Sequence, residues 1–119
     1  MKIPKPTGTS RARFTTLVPD HPDVEVKPMF GNLGAFVNGN MFMGLFGDDV
    51  GIKLSDDARA QLLAKPGAGP FGPPDPPMGG YVSLPSGWTT RTAKPWIERA
   101  LLYVSALPPK PGRGQRRGR

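Results

Sequence analysis

Along the chain, apolar residues gather in short runs that glycine and proline keep interrupting. In "VEVKPMF", residues 24–30, apolar and polar positions alternate, the period of a strand, and Pro28, which has no N–H to donate, confines that strand to an edge or a bend. In "GAFVNGNMFMGLF" the Asn38-Gly39 pair sits between two apolar runs, and both residue types tolerate the positive φ of a type I′ turn, so a hairpin is predicted. A two-residue turn there pairs Val37 with Asn40, Phe36 with Met41 and Ala35 with Phe42. One face then collects Phe36, Met41, Met43 and Leu45; the other collects Leu33, Ala35, Val37, Phe42 and Phe46. A second hairpin through "GDD", 47–49, adds Val50, Ile52 and Leu54 to the first face, and Gly51 and Lys53 to the second. The first face is continuously apolar and is expected to lie under helices.

Helical signals flank this meander. Ser10 to Leu17 reads as a short helix stopped by Pro19 and Pro22. Ser55 offers an N-cap to "DDARAQLLAK", whose Asp56 and Asp57 suit the positive end of the helix dipole, and Pro66 ends that helix. In "AKPWIERALLYVSAL", 93–107, Trp96, Ile97, Ala100, Leu101, Val104 and Leu107 recur at helical spacing, with Pro95 expected in the first turn. Between them, "PGAGPFGPPDPPMGG", 66–80, cannot hold a regular helix; it reads as a loop or lid packed by Phe71 and Met78, followed by a strand "YVSLP", 81–85.

The order is helix, three-stranded meander, helix, loop, strand, helix. The expected fold is α+β: two layers, an antiparallel sheet made of the meander plus one later strand, with helices packed on one face. Phe36, Met41, Met43, Leu45, Ile52, Leu54, Trp96, Ile97, Leu101 and Val104 are the expected shared core. The face without helices then carries Val37, Phe42 and Phe46, more apolar area than a monomer usually exposes. A homodimer or another protein partner would cover it, or residues 66–77 would fold over it.

Charge alters this picture only at the ends. The net charge is +7, but residues 1–19 carry Lys2, Lys5, Arg11 and Arg13 without an acid, and the end of the chain carries Lys110, Arg113, Arg116, Arg117 and Arg119 without one. Residues 20–107 hold seven basic against nine acidic side chains, so the expected folded body is not basic. We therefore expect a flexible basic segment over 1–19 with a short helix, one domain over 20–109, and a disordered basic tail over 110–119. The five tail cations could follow a phosphate backbone weakly and without sequence preference, but could not be fixed against base edges.

Chemistry is sparse. The absence of cysteine excludes disulfides, thiolate metal sites and cysteine nucleophiles. The one histidine, His21, lies beside Asp20 and near Asp23 without a flanking nucleophile. "GNLGAFVNG" joins strands rather than a strand to a helix, so it presents no helix N-terminus to a phosphate. The pairs Asp48-Asp49 and Asp56-Asp57 suit a turn and a helix start, with no third clustered ligand for a metal. No catalytic residue, cofactor site or metal site is expected. Neither signal peptide nor membrane anchor is evident, which points to a cytoplasmic protein.

The segments "KPMFGNLGAFVNGNMFMGLFGDDVGIKLSDDARAQLL", "PMGGYVSLP" and "PWIERALLYVSALPPK" resemble, in order and spacing, the N-terminal domain of the TfoX/Sxy family of competence regulators, over roughly Val24 to Lys110. The resemblance implies a small two-layer α+β domain, often dimeric, without established catalytic residues. It also implies a role in transcription regulation, since family members that carry an additional C-terminal helical domain act with the cyclic-AMP receptor protein. This chain reads as a stand-alone member.

Overall fold

The computed structural model describes residues 4–29, 31–73 and 78–109. Helix α1 (Gly8–Leu17) precedes strands β1 (Val24–Met29), β2 (Asn32–Val37), β3 (Asn40–Phe46) and β4 (Asp49–Lys53). Helix α2 (Asp56–Leu63), strands β5 (Gly69–Pro70) and β6 (Tyr81–Ser83), and helix α3 (Thr90–Ser105) complete the fold. The six strands form one antiparallel sheet in the order β1-β2-β3-β4-β6-β5, so the α+β expectation holds, with β1 joining the meander as a fourth strand. Pro28 does lie on an edge strand. The last residue of the expected strand, Phe30, is outside the described residues.

The Asn38-Gly39 turn forms as its chemistry requires, with φ of 53° and 81°, and Val37 pairs with Asn40 and Phe36 with Met41. The register then shifts: Ala35 faces Met43 rather than Phe42, because β3 carries a bulge at Phe42. An extra residue on one strand lets two successive side chains turn toward the same side. Phe42 and Met43 are both fully buried in one core with Ala35, Val37, Leu45, Val50, Ile52 and Leu54.

This bulge corrects the expected faces. Val37 and Phe42, placed by alternation on the face without helices, are 2% and 0% exposed in the helix-covered core. Phe36 and Met41, placed by alternation in the core, lie outside it on the opposite face. Phe46 keeps its expected side and is half-buried.

The helices complete that core. From α3, Ala93, Ile97, Ala100 and Val104 are buried, while Trp96 and Leu101 pack only partly against it; Arg99 stacks over the Trp96 ring at 4.6 Å. Thr89 caps α3 by accepting from the Thr92 N–H at 3.2 Å, so the helix starts a turn earlier than expected and Pro95 falls in its second turn. Ser55 caps α2 as predicted, and Ala58 and Leu62 are its buried residues.

Residues 8–17 are part of the domain rather than a flexible flank, since Phe14 and Leu17 of α1 are fully buried. A polar clasp fixes the start of this helix. Thr7 accepts from the Ser10 N–H at 3.1 Å, and Asp48 in the β3–β4 turn accepts from the Ser10 hydroxyl at 2.6 Å. The Ser10 bond, with those from Thr7, holds the Asp48 carboxyl below its ordinary value.

Burial separates two neighbouring positions on α3. Ile97→Ala should cost about 2–5 kcal/mol, the range for truncating a fully buried aliphatic side chain, whereas Leu101→Ala should cost less because part of its surface stays wet. Urea denaturation of the two variants checks this; equal losses would contradict the packing described.

Candidate functional site

The face away from the helices is built on a row of glycines. Gly34 of β2 pairs with Gly44 of β3, and Gly44 with Gly51 of β4, so three adjacent strands present bare backbone at the same level. Lys27 of β1 stands at one end of the row, opposite Gly34, and Ser83 of β6 at the other, opposite Gly51. Because cross-strand partners share a face, the missing side chains leave a trough running across the strands. Phe36, Met41 and Tyr81 rise on one bank; Met29 and Phe46 rise on the other.

The chain covers part of this trough itself: over Gly34, the Met29 sulfur, the Phe36 ring and the Met41 sulfur come to 2.9, 2.9 and 3.0 Å from where a Cβ would stand. Phe71, just after β5, is 2% exposed and lies on Gly51, where a Cβ would stand 2.2 Å from its ring. Phe46 meets that ring edge-on at 6.3 Å between centroids, and Tyr81 lies on its other side at 6.0 Å. The segment carrying it is held by β5–β6 pairing, by the Ser83 hydroxyl donating to the Pro70 carbonyl at 3.0 Å, and by the Met78 N–H donating to the Phe71 carbonyl at 2.8 Å. Phe71 and Met78 thus pack the 66–80 loop onto the sheet as expected; residues 74–77 lie outside the described ones.

Over Gly44 the trough stays open as a cavity of about 480 Å³, walled by Met29, Met41, Phe46, Phe71, Pro73 and Met78. Among the described residues Asn32 is the one polar side chain lining it, and each of its polar atoms has a partner within the fold. Its Oδ1 accepts from the Gly47 N–H at 2.8 Å, and its Nδ2 donates to the Pro4 carbonyl at 3.0 Å. Charges stand outside. Lys27 pairs with Glu25 at 3.6 Å and lies 5.1 Å from the Phe36 ring, and Lys53 lies 5.5 Å from the Tyr81 ring. Among the described residues no titratable side chain lines the cavity, and such a lining holds apolar matter by exclusion of water and contact.

A second hollow, about 380 Å³, lies between α1 and α3 with Asp20, His21, Lys94 and Glu98 on its rim. There His21 Nδ1 accepts from the Asp23 N–H at 3.1 Å, which makes the imidazole part of a turn. The aspartate pairs serve structure too: Asp48 clasps α1, and Asp56 pairs with Arg59. Among the described residues, no cluster of three His, Cys, Asp or Glu side chains could hold a metal, and no helix is long and apolar enough to cross a membrane.

Of the residues expected on a partner face, Phe46 alone is there; Val37 and Phe42 are in the core. The expected nucleic-acid contacts, Lys110, Arg113, Arg116, Arg117 and Arg119, lie outside the described residues. Reading by alternation missed Gly34, Met29, Met41 and Asn32 as parts of one site. The usable signal was the spacing of glycines: any two-residue turn at 47–48 already sets Gly44 opposite Gly51.

Two substitutions test this geometry. The Tyr81 hydroxyl donates to the Met41 carbonyl at 2.7 Å, and burial pushes its pKa from 10.0 to about 12. Between those values the unfolded chain releases a proton that the fold retains, so the contribution is complete below pH 10 and falls as pH rises toward about 12. Tyr81→Phe should be less stable by about 1 kcal/mol at pH 8 from the lost hydrogen bond, and the gap to the parent chain should narrow across that window in urea titrations.

Gly51→Ala should cost about 1–3 kcal/mol by overpacking and drive the Phe71 ring off the sheet, read as loss of nuclear Overhauser contacts between Phe71 and β4. Retained contacts would refute the close approach.

No curated protein and no solved structure matches the chain. The model of the TfoX N-terminal domain matches residues 16–103, a span that holds all six strands, the glycine row, Phe71 and most of α3. The chain belongs to the TfoX N-terminal domain family.

Proposed function

We propose that the chain is a non-catalytic, cytoplasmic protein-interaction module of a regulatory kind, and that its partner sits on the open face of the sheet. The observation that carries this reading is the cavity over Gly44. Among the described residues it is walled by thioethers, aromatic rings and Pro73 and carries one polar side chain, whose oxygen and nitrogen each already bond within the fold. Flexible methionines beside fixed rings suit an adaptable protein contact, and family membership agrees with a regulatory role. Among the described residues the strands of the open face otherwise carry Glu25, Lys27, Asp49 and Lys53, equal numbers of each sign, a balance that favours no polyanion.

The homodimer expected from Val37, Phe42 and Phe46 loses two of those three residues to the core, and Phe71 covers part of what remains. We therefore favour a different protein as the partner, and light scattering at tens of micromolar should give the mass of one chain.

A photo-crosslinking amino acid at Lys27, on the rim of the open face, should capture one defined protein in the native cell. The same group at Leu102, which is 71% exposed on the helical layer, should not. Capture from Leu102 alone, or a Lys27 adduct that Phe46→Ala leaves undiminished, would sink the assignment.

A further inference from the structure

We propose that the unfilled part of the glycine trough takes one uncharged aromatic side chain of the partner, seated over Gly44 beside Phe71. This rests on the reading that the open face holds a protein. Phe71 supplies the precedent within the chain. Gly69 and Pro70 run along the sheet edge paired with β6, and the next residue turns its ring down onto Gly51 between two other rings. A ring laid on bare backbone of this face, between two other rings, is therefore a geometry the sheet accepts. Gly44 is the next bare position in the same row, and the far edge of the Phe71 ring already borders it, 3.4 Å from where its Cβ would be.

The walls select the ring. Above Gly44 and Gly34 stand the thioethers of Met41 and Met29; the Met41 Sδ would be 3.3 Å from a Cβ at Gly44, and the Met29 Sδ 2.9 Å from one at Gly34. Unbranched methionines move aside at small cost and make favourable sulfur contacts with aromatic rings. A second ring would also meet Phe46 and Phe71 in the edge-on or offset arrangements that aromatic groups prefer. Charge is disfavoured: the oxygen and nitrogen of Asn32 each already bond within the fold, and Lys27 and Lys53 lie over rings at the margin, so a buried carboxylate or ammonium would lose its water without a charged partner among the described lining residues.

The full chain, labelled with 13C in its methionine methyl groups, reports on this directly. Met29, Met41 and Met78 line the cavity, while Met43 is fully buried in the other core and serves as the control. Titration with N-acetyl-phenylalaninamide should move the three cavity methyls along saturable curves and leave Met43 in place. N-acetyl-leucinamide should produce much smaller shifts. Gly44→Ala, which raises the floor under the ring, should abolish the saturable shifts while the Met43 signal shows that the fold persists; should that variant not fold, the contrast between the two amides decides.

Several outcomes overturn the proposal: no saturation by the phenylalanine amide, equal response to the leucine amide, or binding that Gly44→Ala does not weaken. Binding of indole without binding of the capped phenylalanine also overturns it, since a site that excludes flanking peptide groups takes no partner side chain. If these titrations fail while the Lys27 crosslink persists, a protein is held without an aromatic anchor. If both fail, the interaction reading falls with the anchor.

Discussion

The bulge at Phe42 decides what each face of the sheet is made of. Without it, strict alternation would carry Val37 and Phe42 away from the helices and bring Phe36 and Met41 under them. With it, Phe42 and Met43 enter the same core, and everything on β2 changes sides relative to β3. Fully burying a phenylalanine or a methionine is worth about 1.5–3 kcal/mol each, while the bulge disturbs the ladder locally at a net cost of about one hydrogen bond. The shift exchanges Phe36 and Met41 for Val37 and Phe42 in the core, and Met43 stays there in either register.

The same shift assembles the open face. Gly34 reaches the side of Gly44 and Gly51 only because β2 is displaced by one residue against β3. Three glycines in line remove side-chain surface that would otherwise cover the sheet, and the chain compensates at one end with Phe71, packed between Phe46 and Tyr81. A ring laid on backbone buries area on both of its faces, so one residue from an otherwise irregular loop can fix that loop. Proline and glycine prevent the 66–73 segment from forming a helix, and its order comes from β5–β6 pairing, the Ser83 bond and this ring.

Much of the fold was legible in the sequence because its signals are local. The Asn38-Gly39 turn, the Ser55 cap and the apolar spacing of Ile97, Ala100 and Val104 each depend on a few neighbouring residues, and each appears in the structure. The edge position of β1 is one of the two that Pro28 allows, an edge or a bend. The bulge was not legible. Phe36-Met41 pairing agrees with both registers, and the shift depends on how Phe42 and Met43 fit the helices, a fact of tertiary packing. The start of α3 was missed for a simpler reason: Thr89 is an ordinary cap, but Pro95 drew the first turn toward itself. Helix α1 has no apolar stripe, and only the burial of Phe14 and Leu17 shows that it belongs to the core. The candidate site inherited the error in register, so Phe46 was found while its neighbours were not.

An apolar cavity in a small domain is costly to keep, since interiors pack closely and a void forfeits contacts on every wall. Here several residues able to fill it stand beside it. Met41 or Met78, both in its wall, could be drawn further in. Instead, the hydrogen bonds of the wall point elsewhere: Asn32 to the β3–β4 turn and the N-terminal segment, Tyr81 to the Met41 backbone. Those bonds fix the frame of the cavity while leaving its methionine walls free to rearrange. Backbone paired on both sides at the floor with unbranched thioethers in the wall is an arrangement that can adapt to a ring at small cost, and that suits a reversible contact better than a permanent one.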